Sequence, residues 1–231
     1  MSGPILALEG LSIAYRSGGY WQDAVSEVSL AIAPGEAYGL VGESGCGKST
    51  VAMAAMGYLP TNARVSAGRI RLAGSDIAGL DAEGLRRLRG GTVAAVYQSP
   101  GAALNPSLTV GEQIAEVYRL HRGMPNTQAW RAAAGMLERV QIAEGARVCR
   151  LYPYQLSGGM QQRAVIAMGL AGDPDLLVLD EPTTALDTTV QAEILALFES
   201  LRAEMDVALL FISHNLGWCA RSVTGWGDVR R

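Results

Sequence analysis

Gly42-Glu43-Ser44-Gly45-Cys46-Gly47-Lys48-Ser49-Thr50 decides the fold. The stretch fits the pattern GxxxxGK[ST], and an apolar run, Ala37-Tyr38-Gly39-Leu40-Val41, leads into it. Glycines let successive backbone N–H groups curl around phosphate, and the N-terminus of a following helix favours negative charge. Lys48 is placed to reach the β- and γ-phosphates of a nucleotide, and Ser49 to ligate Mg²⁺. A glycine turn that merely happens to precede a helix is the plain alternative. A strand before it and a helix after it argue against that.

Three more apolar runs each end on a polar residue. Val93-Ala94-Ala95-Val96-Tyr97 ends at Gln98, Leu176-Leu177-Val178-Leu179 at Asp180-Glu181, and Ala208-Leu209-Leu210-Phe211-Ile212 leads through Ser213 to His214. Unbroken runs of this length suit parallel strands buried on both faces. Ligands of open α/β sheets sit outside the carboxyl ends of the strands, so the four strand ends converge on one site. Asp180 would hold Mg²⁺ through water, and Glu181 would accept a proton from the attacking water.

The polar and apolar alternation from Ile5 to Ala33 suits antiparallel strands beside the main sheet. Between Gln98 and Ser157 the pattern turns helical, with Val110–Leu120 and Gln128–Val140 as candidate helices around Gly123 and Pro125. Residues 99–157 are therefore expected to form an inserted helical subdomain, and residues 1–98 and 158–216 the core. In Leu156-Ser157-Gly158-Gly159-Met160, Ser157 can cap a helix through Gln161, Gln162 and Arg163 to Leu170. Ser157, Gly158 and Gly159 then form a second anion site on the same chain. One phosphate loop already serves the nucleotide, so a second site makes sense if it meets the nucleotide of another subunit. An ordinary glycine-started helix is the simpler account of the same residues.

Composition narrows the classes. The 231 residues are 49% hydrophobic and 18% charged, enough for a sizeable core. No apolar run approaches the roughly 20 residues that span a bilayer. The N-terminus carries Glu9 and no basic region, so no signal peptide is read there, and the chain is expected in the cytoplasm. A net charge of −3 argues against a nucleic-acid surface, and Arg86-Arg87-Leu88-Arg89 reads as a solvated helix face. Cys46, Cys149 and Cys219 are scattered, without metal-ligand spacing, which fits a reducing compartment. Cys46 is assigned no catalytic role, although a thiol at a helix N-terminus can be reactive.

The phosphate loop, Gln98 after a strand, Leu156–Met160, the Asp180-Glu181 strand end, Ala185-Leu186-Asp187 and His214 together resemble the ABC ATPases in order and spacing, up to about Leu216. The resemblance implies an α/β fold: a phosphate-loop NTPase (RecA-like) core with a mainly parallel sheet, an N-terminal antiparallel β subdomain and an inserted helical subdomain. It implies ATP and Mg²⁺ as cofactors and two subunits sandwiching two ATP molecules. Leu104-Asn105-Pro106-Ser107-Leu108-Thr109-Val110-Gly111-Glu112-Gln113-Ile114, Tyr152-Pro153-Tyr154-Gln155 and Val190-Gln191-Ala192-Glu193-Ile194 resemble the peptide and nickel importer branch. That branch often carries His where Tyr154 stands.

Roles follow residue by residue from the resemblance. Gln98 would sense the metal and the attacking water, and His214 would contact the γ-phosphate. Asp187 would work across the dimer or serve as a local helix cap. Tyr15 is the chosen adenine-stacking aromatic, with Tyr20 and Trp21 as alternatives and ordinary strand packing as the bland account. The implied partners are a second ATPase subunit (identical or paralogous), integral permease subunits and, indirectly, a solute-binding protein, at the cytoplasmic face of the membrane. A soluble ABC ATPase of nucleic-acid metabolism and a non-hydrolysing remnant are the competing readings. The first would carry a coiled-coil insertion, zinc cysteines or a basic arm, none of which the sequence shows.

Beyond Leu216 the resemblance stops. Residues 217–229, Gly-Trp-Cys-Ala-Arg-Ser-Val-Thr-Gly-Trp-Gly-Asp-Val, show no strand pattern where the family continues into a helix and a further apolar strand. Back-translated one nucleotide earlier, Trp218 and Cys219 allow Val-Val, Ala220 to Gly225 a run compatible with Arg-Ala-Leu-Cys-Asp-Arg, and Trp226 allows Val. A shifted frame or truncation near residues 216–217 is the expectation, making 217–231 an aberrant tail. At least one strand is expected to be lost and apolar surface near His214 uncovered.

Overall fold

The computed structural model describes residues 3–43, 45–97, 99–183, 187–213 and 225–228. Strands β1 (Leu6–Ser17) and β2 (Tyr20–Ile32) form a hairpin. Strand β3 (Ala37–Val41) runs into the phosphate loop and helix α1 (Lys48–Ala55). Then come β4 (Ala63–Leu72), the two-residue β5 (Ser75–Asp76), α2 (Ala82–Gly91) and β6 (Val93–Val96). The helical stretch holds α3 (Pro100–Ala103), α4 (Val110–Arg122), α5 (Asn126–Arg139) and α6 (Gly145–Val148). Helix α7 (Gly158–Leu170), β7 (Leu176–Asp180), α8 (Thr188–Met205), β8 (Ala208–Ile212) and β9 (Gly225–Asp228) complete the order.

Two sheets result. One has the order β2-β1-β4-β5 and is antiparallel; the other has the order β6-β7-β8-β3-β9 and pairs in parallel throughout. The apolar runs alternate between two cores. Leu176 and Val178 of β7 and Leu210 and Ile212 of β8 face α1 and the antiparallel sheet. Leu177, Leu179, Leu209 and Phe211 face α7, α8 and the helical stretch. Burial on both faces is why these strands read as unbroken apolar runs.

Helices α4 and α5 overlap the candidate helices Val110–Leu120 and Gln128–Val140 but run Val110–Arg122 and Asn126–Arg139. Thr109 caps α4, its Oγ1 accepting from Glu112 N, and Gly123 closes the helix in the left-handed region at φ 62°. Among the basic residues of α2, Arg86 and Arg87 are exposed. Arg89 leaves helical geometry and donates to the carbonyls of Met56 and Gly57, so it is not part of a solvated face.

The tail requires a correction. Residues 225–228 form a fifth strand, pairing in parallel with β3 from Tyr38↔Gly225 to Val41↔Asp228. The sequence reading missed it because β pairing is made by backbone groups, which any sequence supplies. At Gly225 a Cβ would lie 2.8 Å from the Tyr38 ring, so glycine permits the close approach. The tail thus supplies a strand on the edge of β3, where at least one strand was expected to be lost.

Candidate active site

The end of β3 and the start of α1 make a concave loop. Gly42, Gly45 and Gly47 have φ of 152°, 79° and 103°, a backbone path that side-chain-bearing residues rarely take. Gly47 has a second constraint. A Cβ there would lie 2.6 Å from Val25 Cγ2 and 2.9 Å from the Ala24 carbonyl, so β2 presses on the loop from behind. Lys48 is buried, and its Nζ donates to the carbonyls of Gly42 (2.7 Å) and Glu43 (2.8 Å). The ammonium is therefore held across the mouth of its own loop.

Strand β7 delivers the two carboxylates opposite. The Ser49 hydroxyl donates to Asp180 Oδ1 at 3.2 Å. Burial pushes the Asp180 carboxyl above its ordinary range; the Ser49 hydrogen bond pulls against this, Glu181 adds to it and Lys48 opposes it. Glu181 follows at φ 47°, a left-handed conformation that costs a non-glycine residue about 1–3 kcal/mol. Its backbone N–H donates to the Ile212 carbonyl at 3.0 Å, which anchors the turn on β8. A cavity of about 530 Å³ is lined by Ala24, Gly45, Gly47, Lys48, Ser49, Thr50 and Glu181. The strand ends of β3 and β7 thus converge as the sequence suggests, while Ser44, Gln98 and His214 lie outside the described residues.

A hydroxyl and a half-buried carboxylate within hydrogen-bonding distance form a hard oxygen donor pair. Beside a phosphate loop, they fit Mg²⁺ held by one carboxylate and the substrate phosphates. Tyr15 stands at the other end of the loop, its hydroxyl 3.3 Å from Thr50 Oγ1. Tyr20 lies at the hairpin tip, 78% exposed, and one face of Trp21 is covered by Arg64 at 4.2 Å from the ring centroid. Among the described residues, Tyr15 alone of the three aromatics is tied to the phosphate-loop helix by a hydrogen bond.

Ser157 caps α7, its Oγ accepting from Met160 N at 3.3 Å. Ser157 and Gly158 are exposed, and no residue of Ser157–Gly159 lines the phosphate-loop cavity. Asp187 caps α8, its Oδ1 accepting from Thr189 N and Val190 N at 3.0 Å each; the local account of this residue is realised. Ala24, which the sequence reading passed over, lines the cavity, and a small residue in β2 facing the glycine loop was the available signal.

Comparison with known proteins identifies the family. The family model described as ABC transporter matches residues 25–184. A Brucella abortus (strain 2308) protein that carries the provisional name of peptide import ATP-binding protein is 45% identical over 93% of this chain. The chain spans 64% of that relative's length. The ATP-binding cassette MJ0796, solved as a dimer in a post-hydrolysis state bound to ADP and Pi, superposes with a TM-score of 0.81 at 27% identity. The match covers 98% of this chain and 97% of that one. For the fold alone, cbiO1 from Clostridium perfringens gives a TM-score of 0.84 at 23% identity over 99% of this chain and 85% of that one. With a family model covering well over half of its residues and a phosphate loop, an Asp-Glu strand end and a serine-capped α7 in place, this chain belongs to the ABC transporter family.

Proposed function

We propose that the chain is the ATP-binding and ATP-hydrolysing subunit of a transporter that energises import of peptides or a similar small solute such as nickel. It acts as one of a pair of ATPase subunits, identical or paralogous, docked on integral permease subunits that an external solute-binding protein supplies. It works at the cytoplasmic face of the membrane; among the described residues, no helix is long and apolar enough to cross it.

The observation that carries this reading is the separation of two glycine-bearing helix starts. The α1 start opens into the 530 Å³ cavity, whereas Ser157 and Gly158 at the α7 start are exposed and do not line it. One chain's Ser157–Gly159 can therefore face the ATP held in another chain's Gly42–Thr50.

Phosphoryl transfer needs positioning and charge neutralisation more than covalent help. The loop N–H groups and Lys48 hold the phosphates, and Lys48 exchanges its two loop carbonyls for phosphate oxygens. Ser49, Asp180 and Gln98 would hold Mg²⁺, which neutralises phosphate charge. Glu181 takes the proton of the attacking water, His214 steadies the γ-phosphate, and Tyr15 stacks on the adenine. Gln98 relays the state of the site to the helical insertion. Beside the strand that leads to Gln98, a groove of about 320 Å³ between core and insertion is lined by Tyr58, Arg89, Tyr97, Val117, His121 and Met168, among others. Here a permease segment would bear on both parts at once.

A mixing experiment tests the arrangement. Lys48→Ala cripples a chain's own phosphate loop, and Ser157→Arg blocks the surface it offers to its neighbour. Each variant alone should be inactive, and their mixture should regain Mg²⁺-ATP turnover, because one of its two composite sites is intact. A mixture as inactive as its parts would contradict the shared site.

A further inference from the structure

Helix α7 carries at its exposed start the residues that would meet a neighbour's ATP, so whatever fixes that start fixes the geometry of the shared site. Arg163 lies one turn inside the start and is 9% exposed. Its guanidinium reaches three acceptors on two other elements. Nη1 donates to the Val140 carbonyl (3.0 Å) and to Gln141 Oε1 (2.8 Å) at the end of α5, and Nη2 donates to Glu193 Oε2 (3.0 Å) on α8. The rigid, planar fork of arginine suits three acceptors spread over two nitrogens.

A second contact works in the same register. A Cβ on Gly159 would lie 3.2 Å from Val190 Cγ1, so the first turns of α7 and α8 already touch. From Gly159 to Arg163 is one helical turn, as it is from Val190 to Glu193. The two helix starts therefore meet at two points, Gly159 against Val190 and Arg163 on Glu193. The apolar residues Ala164, Val165, Ile166, Ala167 and Leu170 hold the rest of α7 in the core. A buried charge is a poor device for stability alone, but a well-placed one specifies position.

We propose that Arg163 is a positioning residue. It clips the start of α7 to α8 and to the helical insertion, so that Ser157–Gly159 is presented to the neighbouring chain at a fixed place beside Asp187. This rests on the reading that one chain's Ser157–Gly159 meets another's ATP. Arg163 itself touches no nucleotide.

The test uses the full chain carrying Glu181→Gln, in which hydrolysis is suppressed, with Arg163→Gln, Arg163→Lys or Glu193→Gln added. Three quantities are read: affinity for a fluorescent ATP analogue at high dilution, the ATP concentration giving half-maximal association in sedimentation velocity, and the melting temperature. Affinity at the chain's own loop should be unchanged, while Arg163→Gln should raise the ATP needed for association roughly tenfold, as losing charge-assisted hydrogen bonds does. Arg163→Lys should recover part of the loss. Association by Arg163→Gln and Glu193→Gln at the parental ATP concentration overturns the proposal, as does a parallel loss of own-loop affinity. Should Arg163→Gln not fold, Glu193→Gln decides alone, since its side chain is 56% exposed and its removal leaves the core intact. If the Glu181→Gln parent itself fails to associate on ATP, the shared-site reading falls, and the clip with it.

Discussion

The Ser49 hydroxyl and the Asp180 carboxylate meet at 3.2 Å although 131 residues separate them in sequence. The first belongs to the phosphate-loop helix and the second to the end of β7, so this hydrogen bond marks the point where two strand ends become one site. Burial raises the Asp180 pKa, and an acid raised in the folded state binds protons that the unfolded chain has already released. Its contribution to stability is therefore lost as pH rises from the ordinary carboxylate value through the raised one. Once ionised, Asp180 is a cost that a divalent cation would relieve.

Asp180→Asn should accordingly melt at a higher temperature than the parent at pH 7 without nucleotide, while losing the Mg²⁺ dependence of its ATP binding. Calorimetry with and without Mg²⁺-ATP measures both. A lower melting temperature in the variant would contradict the account of the half-buried carboxylate.

Tyr15 should matter through its ring more than through its hydroxyl. Base–aromatic stacking is worth about 1–3 kcal/mol, so Tyr15→Ala should raise the KM for ATP roughly tenfold or more. Tyr15→Phe, which loses only the Thr50 contact, should stay near the parent. Steady-state kinetics over an ATP series would show it; an equal effect in both variants would move the stacking role elsewhere.

The cysteines should differ sharply in reactivity. Burial, and then Glu138, push the Cys149 thiol up to about 11, and the absent Cβ of Gly111 would lie only 2.6 Å from Cys149 Cβ. It should resist alkylation until the chain unfolds. Cys46 has the Lys48 ammonium 3.7 Å from its sulfur and sits in the loop that ATP would cover. N-ethylmaleimide should label it slowly, and more slowly still with ATP. Mass spectrometry of digests reads both sites, and equal labelling of Cys46 with and without ATP would contradict the loop assignment.

The groove beside Tyr97 carries a pH dependence of its own. Burial, and then Arg86, hold the His121 imidazole below its ordinary value of 6.5. Above that value both folded and unfolded chains are neutral there and nothing is lost. Below it the unfolded chain takes up a proton that the folded one refuses, so stability falls until the lowered value is passed. Urea midpoints should decline less steeply below pH 6.5 in His121→Gln than in the parent. Parallel declines would exclude His121 as the cause.

Much of the fold was legible because two-sided burial writes itself as unbroken apolar runs. Strands β3 and β8 coincide with the runs read from sequence, β7 adds Asp180, and β6 ends one residue earlier, at Val96. The glycine loop and the Asp180-Glu181 end were legible because their chemistry restricts residue type. Strand β4 was not: Ala63–Leu72 is broken by Gly68 at φ 83°, and its pairing with β1 shifts register between Glu9 and Ser12. Strand β9 was hidden because its partner, the edge of β3, lies almost 190 residues upstream and pairs through backbone groups alone. The Arg163 cluster was invisible for a related reason, its acceptors lying 22 to 30 residues away with no motif of their own.

The central claim is that Glu181 acts as the base for ATP hydrolysis at the Gly42–Thr50 loop, and one comparison tests it most directly. Mg²⁺-ATP turnover by the chain is measured beside Glu181→Gln, with ATP affinity determined for both. General base catalysis is worth about 10²–10⁴ in rate, so the variant should lose turnover by that factor while keeping its affinity for ATP. Turnover at the parental rate in Glu181→Gln would remove Glu181 from the role and contradict the account.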